Sequence, residues 1–198
     1  MSAGQRRTEQ AELTRAALVD AARELFVEKG YFDTGTEEVV ARAGVGTRGA
    51  LYHHFADKKD LFRAVFDAVQ ADLAAASAAR PRRDAFTTLS VSLLQFLEAA
   101  ATNADVQRIV LVDGPAVLGW ETWRELEASY GLGAISSLLE AAIAEGTIDR
   151  QPVAPLAHML LAAVDEAALY VAAAPNQRAA QRETQASFKR LLDGLRSR

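Results

Sequence analysis

The sequence contains no cysteine, which excludes disulfides, cysteine-based metal sites and a thiol nucleophile. That composition is compatible with a reducing compartment. Histidine is nearly as scarce, at three residues, His53, His54 and His158, so general-base chemistry has few candidates. A Ser/His/Asp order, a glycine-rich phosphate loop, a His-Glu-x-x-His helix and a paired-carboxylate site are all missing. The chain is therefore expected not to be an enzyme and to need neither cofactor nor metal. The start, Met1–Gln10, is polar and lacks the apolar core of a signal segment. No stretch is read as approaching the roughly 20 apolar residues that span a bilayer. A soluble cytoplasmic protein without membrane contact is the expectation. Proline occurs five times, at Pro81, Pro115, Pro152, Pro155 and Pro175, between or near the starts of apolar-periodic segments.

What remains is a sequence built for helices. Of its 198 residues 50% are hydrophobic, enough to bury a core in one or two domains. No segment sustains strand alternation, so an all-α fold of about nine helices is expected. The spacing predicts helices over Thr8–Lys29, Thr36–Ala43, Thr47–Phe55, Lys58–Ala79 and Asp84–Ala101. Four more are predicted over Ala104–Val112, Gly119–Glu145, Ala154–Ala174 and Asn176–Leu195. Gly30 and Gly44 are natural helix stops. Thr34 with Glu37 fits a capping box, and Asp57 can cap the helix that begins at Lys58.

The formal net charge is −4, which taken alone argues against a nucleic-acid partner. DNA meets one face rather than the whole surface, however. From Val39 to Lys59 the basic residues are Arg42, Arg48, Lys58 and Lys59, against a single acid, Asp57. Two short helices joined by a glycine-containing turn lie in that window, the outline of a helix-turn-helix. Ala41, Ala43 and Ala50 are small enough for a close helix crossing. Leu51 and Phe55, four apart, give the second helix an apolar side. Gly49, Tyr52 and His53 then point away from it. Gly49 removes bulk where DNA would approach. Arg48 can reach a base edge, arginine to guanine being the commonest specific major-groove contact. Tyr52, His53, His54 and Lys58 suit phosphate oxygens, and Lys58 stands at a helix N-terminus. Adjacent histidines on a helix diverge by about 100°, so His53 and His54 are not read as metal ligands.

The run Thr36-Glu37-Glu38-Val39-Val40-Ala41-Arg42-Ala43-Gly44-Val45, then Thr47-Arg48-Gly49-Ala50-Leu51-Tyr52-His53-His54-Phe55, then Lys58, resembles the tetracycline-repressor (TetR-like) family. The motif-bearing likeness covers about Leu18 to Phe66. It implies a homodimer bound to a roughly palindromic DNA operator, usually as a repressor released by a small molecule. It places Arg48 and Gly49 at base or close backbone contacts, Tyr52, His54 and Lys58 at phosphates, and Thr47 as the cap of the recognition helix. Two positions depart from the pattern. Gly46 lengthens the turn by one residue and is expected to absorb it through unusual dihedrals. Glu37 stands where some relatives carry a basic residue, and it would repel a phosphate.

Residues 1–57 thus read as a DNA-binding head, and 58–198 as a helical ligand-binding and dimerisation domain. In the latter, Trp120, Trp123 and Tyr130 are pocket candidates or core. Asp165 and Glu166 interrupt a strongly apolar helix. A buried acid needs a partner: a ligand, the other chain or Arg108; alternatively one of the two simply faces solvent. His158 lies near the same face. Leu156 and Leu160 on one helix, and Phe188, Leu191, Leu192 and Leu195 on the next, form apolar stripes that read as a dimer interface or as internal core. The rival reading is a helical small-molecule carrier or enzyme without DNA function.

Overall fold

The computed structural model describes residues 3–77 and 80–197. Ala78 and Ala79, the expected end of the helix from Lys58, lie outside the described residues, as do Met1, Ser2 and Arg198. α1 spans Ala3–Lys29 and so begins five residues before Thr8. Arg6 and Arg7 are exposed but helical, in keeping with the helix-forming Gln and Arg around them. Gly30, at φ 87°, ends the helix in the left-handed conformation, with its N–H donated to the Phe26 carbonyl at 2.8 Å.

α2 spans Thr36–Arg42. The expected capping box does not form: the N-cap is Gly35, which has no side chain, and only the half from Glu38 is made, its carboxylate accepting the Gly35 N–H at 3.1 Å. The Thr34 hydroxyl is buried and donates instead to the Gly30 carbonyl at 2.7 Å, so it closes the loop after α1. α3 spans Arg48–His54, with Thr47 as N-cap. The turn between them is a Schellman motif. Val45 N–H reaches the Val40 carbonyl and Gly44 N–H the Ala41 carbonyl, both at 3.2 Å. Gly44 takes the positive φ, 67°, whereas Gly46 does not. The expectation of unusual dihedrals at Gly46 is thus corrected: the reversal is complete at Gly44, and Gly46 only extends the link. Ala43 and Ala50 are half-buried, but Ala41 is exposed and no part of the crossing.

α4 spans Lys58–Ser77. Asp57 caps it, accepting the Asp60 N–H at 2.7 Å, and Asp60 accepts the Ala56 N–H at 3.0 Å. Its stripe of Leu61, Phe62, Val65, Phe66, Val69 and Leu73 is buried. That stripe joins the head, through Phe26 at 5.5 Å from Phe62, to the bundle behind it. α5 spans Ala85–Thr102, capped by Asp84. Then Val106–Asp113 forms a π-helical segment that runs into α6, Gly114–Leu118, with Pro115 in its first turn. The sequence predicts one helix ending at Val112, yet helical structure continues through Pro115, since proline is compatible with a helix start. α7 spans Trp120–Ala144, α8 Val153–Ala173 and α9 Gln177–Asp193. Among the described residues there is no strand, only an isolated bridge between Ile148 and Arg196.

α5 is central to the larger bundle, packing on α4, α7, α8 and α9. α8 corrects the expectation on membrane spans. With 21 residues and a mean hydropathy of 1.5 it is long and apolar enough, by length and composition, to cross a bilayer. It packs instead against α5, α7 and α9 and carries Asp165 in its buried half.

Candidate DNA-reading surface and core cavity

The orientation of α3 follows from its two apolar residues. Leu51 is fully buried and Phe55 nearly so, which turns Thr47, Arg48, Gly49, Tyr52 and His53 to the exterior together. A Cβ built on Gly49 would meet only the Thr47 hydroxyl oxygen, at 3.6 Å, so nothing within the protein requires glycine there. The Arg48 guanidinium lies 2.7 Å from the Glu37 carboxylate and 5.8 Å from the Tyr52 ring centroid. His54 is half-buried. Burial, then the neighbouring His53 and Arg15, hold its pKa below the ordinary value and favour the neutral ring. The Lys58 ammonium rests on the Tyr31 ring at 4.2 Å, and burial pulls its pKa down against the pull of Asp33. Arg42 adds nothing to the positive face. It is paired with Glu24 and Glu28 of α1, both at 3.0 Å, partners invisible to a charge count over residues 39–59.

Behind this head, Asp113 forms the junction. It is 3% exposed and accepts the Tyr31 N–H at 2.9 Å and the Arg108 Nε–H at 3.2 Å. The Arg108 guanidinium packs so closely on Gly30 that a Cβ there would fall 1.7 Å from it. Arg23 of α1 bridges Asp72 of α4 at 2.7 Å and Asp105 at 2.6 Å. Trp123 donates its indole N–H to the Val110 carbonyl at 2.9 Å.

A cavity of about 170 Å³ lies between α4, α5, α7 and α8 and opens to solvent past the exposed Ala74, Tyr130 and Ala134. Leu93, Phe96, Ile135 and Leu161 supply apolar wall, and Gln70, Glu127 and Tyr130 supply polar groups. Gln70 and Glu127 are both almost wholly buried, and the Gln70 amide donates to a Glu127 carboxylate oxygen. Burial, then the charge of Asp165, pushes the Glu127 pKa up to about 8. Asp165 sits next to this cluster. Burial raises its pKa to about 7 against the pull of Arg124. Arg124 approaches to 3.5 Å, yet both Asp165 carboxylate oxygens are buried without a hydrogen bond.

Of the pocket candidates from the sequence, Tyr130 alone lines this cavity, and its hydroxyl donates to Asp67 at 3.1 Å. Arg108 belongs to the head–core junction. Its place as a possible partner of Asp165 is taken by Arg124, on the facing helix α7. Trp123 is core, and Trp120, 67% exposed, lies at the surface beside it. His158 and Glu166 are on the exposed face of α8. Of the six interface candidates, Leu156, Leu160, Phe188 and Leu192 are buried within the protomer, Leu195 is half-buried and Leu191 is exposed. A helical apolar stripe marks burial without naming its partner, and here the partner is the protomer's own core. The large apolar side chains that α8 and α9 leave outside are Met159, Tyr170 and Leu191. Gln70 and Glu127 were missed by the sequence reading. Their signal is positional: Gln70 follows Val69 within the apolar stripe of α4, and Glu127 stands four residues after buried Trp123.

Residues 18–65 match a family model described as bacterial regulatory proteins, tetR family. Residues 86–195 match one described as Tetracyclin repressor-like, C-terminal domain. The crystal structure of a TetR-family transcriptional regulator from Pectobacterium atrosepticum is similar over 96% of this chain and 97% of that one. The identity is 31% and the TM-score 0.80. The regulator TtgR of Pseudomonas putida is 35% identical over 108 residues, about half of either chain. The regulator FadR of Bacillus subtilis, solved in complex with stearoyl-CoA, shares the fold at 19% identity over 89% of this chain and 96% of its own, with a TM-score of 0.74.

Proposed function

The chain belongs to the tetracycline-repressor family of DNA-binding transcriptional regulators, and we propose that within it this protein is a homodimeric repressor that a small molecule releases from a palindromic operator. The observation that carries this reading is the outward face of α3, where Thr47, Arg48, Gly49, Tyr52 and His53 are exposed while Leu51 and Phe55 anchor the helix. Arg48 and Gly49 approach base edges in the major groove, and Tyr52, His53, His54 and Lys58 hold phosphates. Residues 1–57 form the reading head. Residues 58–198 bind the effector and the second protomer.

Two heads must sit about one DNA turn apart on a palindrome, which calls for a symmetric dimer. Met159, Tyr170 and Leu191 give α8 and α9 an apolar outer face for it. The effector occupies the cavity that Glu127 and Tyr130 line. α7 links that cavity to the head through Trp123, the π-helical segment and Asp113, whose carboxylate holds the Tyr31 amide. An effector that prefers the arrangement with misplaced heads lowers DNA affinity. The protein works in the cytoplasm and catalyses no reaction.

A reporter fused to the gene's own upstream region tests the reading. Deleting the chain raises transcription if it is a repressor, and unchanged or lowered transcription contradicts that role. Sedimentation of the free protein should give a single dimeric species, and a monomer would contradict the symmetric mode.

A further inference from the structure

We infer that the core cavity takes a small organic cation, a largely hydrocarbon molecule whose protonated amine is held by the Glu127 carboxylate. The inference rests on the effector reading above and names the chemical class of the effector.

Size comes first. About 170 Å³ is close to the roughly 150 Å³ of an apolar cavity that accommodates benzene. One ring with a short chain fits. The walls from Leu93, Phe96, Ile135 and Leu161 favour hydrocarbon.

Charge decides the rest. Glu127 is 3% exposed and lines the cavity. Among the described residues no Lys, Arg or His lines it, so an anionic ligand would meet a carboxyl group and no counter-charge. Two buried carboxyl groups, Glu127 of α7 and Asp165 of α8, share one guanidinium, Arg124. Arg124 stands at 3.5 Å from Asp165, a charge contact that leaves both Asp165 oxygens without a hydrogen bond. The cluster is therefore short of one positive charge. Buried acids in such a deficit take up protons. A protonated amine arriving beside Glu127 displaces that carboxyl proton to solvent and takes over its positive charge, bringing charge-assisted hydrogen-bond donors. The Gln70 amide, already donating to Glu127, fixes the carboxylate plane for it.

Titration calorimetry on the full chain with three compounds of one apolar body tests this: 2-phenylethylamine, 2-phenylethanol and 3-phenylpropanoate. The amine should bind at least about tenfold tighter than the alcohol, and the carboxylate should bind most weakly. Glu127→Gln should bring the amine down to the alcohol's affinity. Its circular dichroism and melting point should show an intact fold. Alcohol binding equal to amine binding overturns the charge assignment and leaves the cavity reading standing. Tightest binding by the carboxylate, or an amine preference that survives Glu127→Gln, overturns it as well. Failure of all three compounds to bind at millimolar concentration overturns both the cation and the cavity's role as effector site.

Discussion

Arg48 on α3 and Glu37 on α2 meet at 2.7 Å across the outer face of the head. The side chain proposed to read a base is thus held by a carboxylate in the free protein. Both partners are exposed, and an exposed pair contributes about 0.2–1 kcal/mol. If α3 reads DNA as proposed, DNA breaks this pair and also faces the negative charge of Glu37. Glu37→Gln is therefore expected to tighten operator binding by up to about fivefold, with the gain greatest at low salt. Weaker binding by this variant, measured by anisotropy, would contradict the arrangement.

Arg48 and Lys58 should fail differently. Arg48→Ala is expected to cost about 1–3 kcal/mol on the operator and to relax preference at one base pair. Lys58→Ala should weaken binding to every sequence and lower the slope of log K against log salt by about 1. Competition titrations over several salt concentrations separate the two. A Lys58 variant that alters base preference would contradict its assignment to phosphate.

Gly49 gives a separate test of what approaches α3. A Cβ there has ordinary contact distances within the protein, and alanine is favoured over glycine in a helix by about 1 kcal/mol. Gly49→Ala should therefore melt no lower than the wild type, and somewhat higher, while binding operator more weakly. A lower melting point would contradict the open space around Gly49. Unchanged operator binding would place DNA elsewhere.

Much of the head is legible in the sequence because its determinants are local. Leu51 and Phe55 share a face by spacing, Thr47 and Asp57 cap the helices they precede, and Gly30 and Gly44 stop theirs. What the sequence conceals is partnership between distant elements. Arg42 counts as positive charge until Glu24 and Glu28 of α1 are found against it. Leu156, Leu160, Phe188 and Leu192 have the periodicity of a buried face, but periodicity is indifferent to whether the covering surface is the same chain or another. The cavity is hardest to read, since Gln70, Glu127 and Tyr130 come from two helices that are 57 residues apart at the Gln70–Glu127 contact. The interruption at Asp165 does mark the right neighbourhood, though its partner is Arg124 rather than Arg108.

The acid cluster makes stability depend on pH. Glu127 faces Gln70 on α4, Arg124 on its own helix and Asp165 on α8. Its pKa is raised from 4.5 to about 8 by burial first, and that of Asp165 from 3.8 to about 7 by burial. A raised carboxyl pKa means that the unfolded chain loses its proton first as pH climbs. The stabilising effect of the held protons is complete below the ordinary carboxylate range and is lost as pH rises through about 4 to 8. Thermal unfolding should therefore show a melting point falling between pH 5 and pH 8. Glu127→Gln should recover about 1–2 kcal/mol at pH 8, or roughly 2–8 °C, and little at pH 4. A variant that melts lower than the wild type at pH 8 would contradict the cluster's charge deficit.

The most direct test of the central reading is a fluorescence anisotropy titration of a duplex from the gene's own upstream region, run beside a scrambled duplex of equal length and composition. The prediction is salt-sensitive saturation at two protomers per site, with the native duplex preferred by at least about a thousandfold and that preference reduced in Arg48→Ala. Equal affinity for the two duplexes, or an Arg48→Ala variant that discriminates as well as the wild type, would contradict the assignment of α3 as the element that reads DNA.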